Sequence, residues 1–237
     1  MRRRVGALLA GAAMVLAACG PTQKHQTWSA PPPITLKPNT SYSAVVRTNM
    51  GRFTIQLFAA QDPVAVNNFV FLANHNFYTD DVFFRVIQGF MVQTGDPNNN
   101  GTGGPGYRFG DELPPTVPYA PGVVAMANSG ANTNGSQFFI CTGSQCNGLS
   151  PSYTELGKVS SGLAVAQAIS ALPVTTNPAT GEKSLPTRLA YIQSVTIQTG
   201  PPIASASGAG ASSTKSASKS STQSGGTSSP AKAPGTS

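Results

Sequence analysis

At 237 residues the chain has room for one large domain or two small ones, so length alone does not fix the domain count. Its formal charge of +7 comes from the ends, where Arg2, Arg3, Arg4, Lys24, Lys37, Lys215, Lys219 and Lys232 lie; in between, Arg47, Arg52, Arg85, Arg108, Lys158, Lys183 and Arg188 face Asp62, Asp80, Asp81, Asp96, Asp111, Glu112, Glu155 and Glu182. The middle of the chain is therefore close to neutral and has no basic cluster beside exposed aromatics, which speaks against a nucleic-acid partner.

In chain order, Arg2 to Arg4 precede an apolar run from Val5 to Ala18 that is too short to span a bilayer and has the layout of a secretory signal. Residues 1–18 are expected to be removed. The run ends in Leu16-Ala17-Ala18-Cys19-Gly20, which resembles the lipobox of bacterial lipoproteins. That resemblance implies a lipid on Cys19 as the mature first residue and an extracytoplasmic protein anchored to the bacterial cell membrane without a transmembrane helix. An ordinary signal peptide with an incidental cysteine is the alternative. Residues 19–40 are polar and proline-rich around Pro31-Pro32-Pro33 and read as a stiff, extended tether. Trp28, the only tryptophan, falls in that tether and is expected outside the core.

From Tyr42 short strand-like runs begin: Ser43 to Thr48 and Gly51 to Leu57, joined by a turn at Asn49-Met50-Gly51. Asp62-Pro63 supplies an N-cap and a first-turn proline, and Val66, Phe69, Val70 and Ala73 follow at helical spacing. The stretch from Phe83 reads as two strands kinked near Gly89. Val123 to Met126, Gln137 to Cys141 and Leu189 to Thr199 are further strands, and Val165, Ala166, Ile169 and Leu172 mark a second short helix. From Pro201 to Ser237 the chain is nearly all Ser, Gly, Ala, Thr, Pro and Lys and is read as disordered, because it cannot bury enough apolar surface to offset its ordering entropy.

Two stretches carry chemistry. Phe83 to Asp96 reads FFRVIQGFMVQTGD and sets Arg85 and Gln93 inside the most apolar run of the mature chain. A guanidinium is rarely buried without a partner, so Arg85 belongs on a surface or in a cleft; Asp80 or Asp81 would be its partners if it were only a surface residue. Met126 to Ile140 reads MANSGANTNGSQFFI and interleaves apolar residues with Asn128, Asn132, Asn134 and Gln137. Apolar walls with a few fixed polar groups suit a small binding pocket.

Together the two stretches resemble the signature segments of the cyclophilin family of peptidyl-prolyl cis-trans isomerases. The pattern F-x-R-x-I-x-G-F-M-x-Q-x-G-D is met by Phe83, Arg85, Ile87, Gly89, Phe90, Met91, Gln93, Gly95 and Asp96, and M-A-N-x-G-x-N-T-N-G-S-Q-F-F-I is met from Met126 to Ile140. The resemblance spans roughly Tyr42 to Thr199, within a domain taken as residues 41–200. It implies a mainly β fold, a closed eight-stranded antiparallel barrel capped by a helix at each end. It also implies an enzyme with no cofactor and no metal, acting as a monomer on proline-containing segments of secreted or surface proteins. By position in the motifs, Arg85 is the expected catalyst and Gln93 its support. Phe90, Met91, Phe139 and Leu149 are expected to form a proline socket. Ala127, Asn128 and Gln137 are expected to hold the substrate backbone. A barrel that binds proline segments without turnover is the alternative.

Two positions depart from the family's usual pattern. Alignment back from Gly157-Lys158-Val159 puts Tyr153 where a histidine is usual, and Asn147-Gly148 stand where a tryptophan is expected before Leu149. Weak cyclosporin binding is the expectation. Nearby, Cys141 and Cys146 could close a small loop in an oxidising compartment, but spacing gives no Cα separation, and two free thiols are expected in preference to a bridge. Asp96, Asn98, Asn100 and Gly101 begin a calcium-loop pattern that fails at Tyr107, and Gly101, Gly103 and Gly106 spell a phosphate-loop pattern with no helix after it; turn glycines account for both. His25 and His75 have no metal-ligand spacing around them.

Overall fold

The computed structural model describes residues 26–202. The expected signal peptide, the Cys19 lipid site, His25 and the tail from 203 onward lie outside the described residues. The chain enters the sheet through a hairpin, β1 (Ser41–Thr48) and β2 (Gly51–Leu57), in which Ala44 faces Ile55 and Val46 faces Phe53. Buried and half-buried positions alternate along β1, the period of a strand with one face on a core. After helix α1 (Pro63–Asn74) come β3 (Arg85–Ile87), β4 (Met91–Thr94), β5 (Val123–Met126), β6 (Phe138–Cys141) and β7 (Glu155–Ser161). Helix α2 (Leu163–Ser170), a small separate hairpin of β8 (Val174–Thr176) and β9 (Lys183–Pro186), and β10 (Ile192–Gly200) complete the fold.

The large sheet runs β10-β1-β2-β7-β5-β6-β4-β3. It is an open half-barrel, not the closed barrel expected from the resemblance. The reason lies at its last strand: β3 has only three residues, and Asp80, in the turn that leads toward it, sits at φ 67°, so little regular backbone is left to pair with β10. The two edges meet in one isolated bridge, Val82 to Tyr191, supported by amides such as Phe83 N–H donating to Ala190 O at 2.9 Å. The β8–β9 hairpin stands beside β3 instead. Neither this hairpin nor β7 is signalled by strong alternation in the sequence.

The main core lies between the sheet and α1. Phe69 of α1 stacks on Tyr78 at 5.0 Å, and both meet the ring of Phe138 edge-on at 5.6 Å. Asp62 occupies the N-cap position of α1 but makes no capping hydrogen bond with its side chain. Glu112 does that work from a distant loop, accepting from Val64 N–H at 3.0 Å and Ala65 N–H at 2.9 Å.

Trp28, expected outside the core, packs against it. Its ring lies 5.1 Å from that of Phe71, 5.6 Å from His75 and 6.0 Å from Phe77, and the Trp28 backbone N–H donates to Pro105 O at 2.8 Å. The outer side of α1 carries Phe71 half-buried, and a large indole is the residue with most apolar area to cover it. Further along the same segment, Asn67 of α1 accepts from Thr35 N–H at 2.8 Å and donates to Pro33 O at 3.0 Å. Residues 28–35 are thus strapped onto the helix.

Candidate active site

Strand register brings the two signature segments together. β4 lies between β3 and β6, so Arg85 faces Gln93 on one side and Gln93 faces Phe139 on the other. The tight return from β3 to β4 passes through Gly89 at φ 76°, a conformation that favours glycine. A second glycine is needed where the next segment crosses it: a Cβ on Gly143 would sit 2.1 Å from Gly89 O. This crossing is fixed by Thr142 N–H donating to Phe90 O at 2.8 Å and Gln145 N–H to Gly89 O at 3.2 Å.

Beyond the crossing, Ser144–Gly148 form a short 3₁₀ helix that ends at Leu149. Cys141 and Cys146 are joined by a disulfide with a Cα separation of 5.9 Å, which corrects the expectation of free thiols. The separation lies within the range a bridge needs, and the turn of 3₁₀ helix is what folds Cys146 back onto the end of β6. Leu149 is set by its own N–H donating to Cys146 O at 3.0 Å.

These elements enclose a cavity of about 100 Å³ lined by Arg85, Phe90, Met91, Gln93, Ala127, Asn128, Phe139, Leu149 and Tyr153. Drug-sized pockets are several times larger, and the notch has room for about one side chain. Every residue expected in the site lines it except Gln137, which stands one step behind. Gln137 reaches the notch through Gln93, whose Nε2 donates to Gln137 Oε1 at 2.9 Å, while Gln137 Nε2 donates to Gly103 O at 2.9 Å. Tyr153 lines the notch with its ring edge-on to Phe139 at 5.4 Å. The Tyr153 segment is held by Tyr119, whose hydroxyl donates to Tyr153 O at 2.6 Å; burial pushes the Tyr119 phenol up to about 12, so it keeps its proton.

The notch opens onto a larger cavity of about 770 Å³ that shares Gln93, Ala127 and Asn128 with it and is otherwise lined by loop residues such as Gly103, Gly106 and Thr133. That cavity has no aromatic wall apart from Tyr107, so it suits a run of peptide backbone better than an apolar ring. Its loop is shaped by the buried Asp96 carboxylate, which accepts from Asn98 N–H at 2.7 Å, Asn100 N–H at 3.0 Å and the N–H of Gly101. Those bonds turn the carboxylate onto its own backbone. The Asn128 side chain is likewise engaged within the fold, donating to Ser152 O at 2.9 Å and accepting from Gly130 N–H at 3.3 Å.

Arg85 pairs with neither Asp80 nor Asp81. Its Nε donates to Glu182 Oε2 at 2.6 Å and its Nη2 to Glu182 Oε1 at 2.8 Å, while Nη1 donates to Gln93 Oε1 at 3.3 Å. Hydrogen bonding from Arg85 holds the Glu182 carboxyl below the usual carboxylate range. Both side chains remain 35% exposed, so the pair is wet on one side. Glu182 was not singled out in the sequence; the only local signal there is the turn glycine before it, and nothing local ties it to a residue 97 positions earlier.

A fork of donors beside an apolar notch, open at one end to a polar groove, defines a protein that grips an extended peptide through one compact apolar side chain. The comparisons name its family. The family model for the cyclophilin type peptidyl-prolyl cis-trans isomerases matches residues 43–197. The chain is 42% identical over 174 residues to peptidyl-prolyl cis-trans isomerase B of Streptomyces anulatus, covering 66% of this chain and 96% of that protein. It is 40% identical over 182 residues to a probable peptidyl-prolyl cis-trans isomerase A of Mycobacterium bovis, covering 69% and 96%. Among solved structures it is similar to a Cryptosporidium parvum cyclophilin type peptidyl-prolyl cis-trans isomerase, with a TM-score of 0.61 and 32% identity over 68% of this chain and 99% of that one. A second structure of that protein, in the presence of the dipeptide Ala-Pro, gives a TM-score of 0.60 at 31% identity, over 66% and 98%. This chain belongs to the cyclophilin family and is a peptidyl-prolyl cis-trans isomerase.

Proposed function

We propose that the notch turns X-Pro bonds in proteins outside the cytoplasm, with Arg85 as the catalytic residue. Rotation about a prolyl amide must break its resonance, a barrier of about 18–20 kcal/mol, and unaided it takes tens to hundreds of seconds. No bond to the enzyme is required. Rate is gained by holding the twisted amide better than either planar isomer.

Phe90, Met91, Phe139 and Leu149 receive the pyrrolidine ring, and Tyr153 closes the wall. As the C–N bond twists, the prolyl nitrogen regains a lone pair, and a donor aimed at it from Arg85 stabilises that state more than the planar one. Gln93 steadies the guanidinium; Ala127, Asn128 and Gln137 hold the flanking backbone along the groove. The observation that carries this reading is the enclosure of Arg85, Phe90, Met91 and Phe139, from two distant motifs, together with Leu149 in one notch of about 100 Å³. The Ala-Pro structure of the Cryptosporidium relative supports proline as the ring that enters. With no indole lining the notch, cyclosporin is expected to inhibit weakly.

In a protease-coupled assay on a proline peptide, Arg85→Ala is expected to lower kcat/KM by about a hundredfold or more, the range of a lost oxyanion-hole donor. A binding module without turnover would show no rate to lose. The compartment rests on the lipobox-like Leu16 to Gly20 and on a bridge between Cys141 and Cys146 that suits an oxidising environment. The protein then acts as a membrane-anchored, monomeric folding catalyst, lipidated at Cys19, for secreted or surface proteins. Metabolic labelling with a radioactive fatty acid tests the anchor: label lost in Cys19→Ser supports it, and wild type without label removes it.

A further inference from the structure

We propose that Glu182, at the turn of the β8–β9 hairpin, is the positioning residue that aims the Arg85 guanidinium into the notch. This rests on the reading of Arg85 as the catalyst and adds what orients it.

Arginine has a long, flexible side chain, and its partner across the strands, Gln93, meets it through one bond of 3.3 Å, the longest and weakest of the three it makes. The two short, parallel bonds come from Glu182, in the side-on fork geometry that fixes the plane of a guanidinium as well as its place. Of the five N–H donors of an arginine, two go to Glu182 and one to Gln93. One donor on each Nη remains for a substrate.

The hairpin is built to hold this carboxylate still. Its turn is closed by Asn177 N–H donating to Glu182 O at 2.7 Å and Gly181 N–H donating to Asn177 O at 2.8 Å, with Gly181 at φ 73°. Glu182 is thereby fixed at the residue that enters β9, and β9 lies beside β3, which carries Arg85. An ion pair at the surface contributes little to stability, and this one is wet on one side. Orientation is a different matter, since a small misplacement of a catalytic group costs rate even where folding is unaffected.

A carboxylate also draws charge from the fork, and removing it could raise the rate. Orientation prevails here because water screens the pair's charge, whereas the twisted prolyl nitrogen needs its donor along one direction.

The test uses the full-length protein with wild type, Glu182→Ala, Glu182→Gln and each change combined with Arg85→Ala, in cis-trans exchange measurements on one proline peptide. Glu182→Ala is expected to lower kcat about tenfold with KM within about twofold, as for a lost alignment and not a lost contact. Glu182→Gln, which keeps one acceptor oxygen, is expected to recover part of the loss. The Arg85 Nε–H resonance is expected to exchange slowly with solvent in wild type and fast in Glu182→Ala. In the Arg85→Ala background neither change at Glu182 is expected to matter further. An unchanged or raised kcat in Glu182→Ala, or an equal loss in the Arg85→Ala background, overturns the proposal while leaving Arg85 as catalyst. Full activity in Arg85→Ala alone overturns both.

Discussion

Phe138 and Phe139 are neighbours on β6 and lead different lives. Phe138 turns to the main core, fully buried between Phe69 and Tyr78; Phe139 turns to the other face of the sheet, into the second apolar cluster with Met91, and lines the notch beside Tyr153. The period of a strand puts one ring on each face. The sheet thus acts as a partition: the face under α1 is packed to exclude everything, and the opposite face is left short of one side chain so that a substrate can supply it. Two identical residues, one apart, divide stability from function.

Truncating each ring separates the two roles. Phe138→Ala is expected to cost about 3–5 kcal/mol, because the void it leaves is sealed on all sides. Its activity per folded molecule should stay near wild type. Phe139→Ala truncates a ring that is only 5% exposed but borders the open notch, and is expected to cost about 1–3 kcal/mol of stability while lowering kcat/KM at least tenfold. Urea unfolding and exchange assays on the same samples check both, and if the two variants lose stability and activity in equal measure the partition is not real.

The strap provides a smaller contrast: Trp28 covers the main core at α1, although its neighbour Thr27 borders the groove. Trp28→Ala is expected to lower stability by about 1–2 kcal/mol, as a half-buried aromatic would, with kcat/KM unchanged. A loss of activity without loss of stability would show that the strap acts on the groove through Pro105 and not on α1.

The last contrast is electrostatic. Burial, with Glu112 and Glu155 nearby, raises the Asp62 carboxyl from 3.8 to about 7. The folded protein holds that proton more tightly than the unfolded chain, so this group's contribution is fully present below about pH 4 and is lost as pH rises toward about 7. Asp62→Asn is expected to flatten that fall, read as the difference in urea midpoint between the variant and wild type at pH 5 and pH 8. Equal midpoint differences at the two pH values would show that Asp62 is charged throughout.

Much of the site was legible because its residues travel in two unbroken runs. Phe83 to Asp96 and Met126 to Ile140 fix strand register and notch together, and a residue such as Phe139 gains its role from the run and not from its own properties. What escaped the sequence depends on distant partners. The Arg85–Glu182 pair has no periodicity to reveal it, and Glu112 caps a helix whose own N-cap residue does not. Trp28 lies in a proline-rich segment that looks like a spacer, and only the half-bare flank of α1 explains why it docks. The Cys141–Cys146 bridge needed the 3₁₀ turn between them to be seen, and the open edge at β3 follows from a strand too short to close a barrel.

Magnetisation-exchange NMR on a proline peptide, at matched occupancy of wild type and Arg85→Ala, tests most directly whether the guanidinium stabilises the turning amide. Binding with exchange slowed about a hundredfold or more in the variant is the expected result. Exchange at the wild-type rate on a notch without its guanidinium would contradict it.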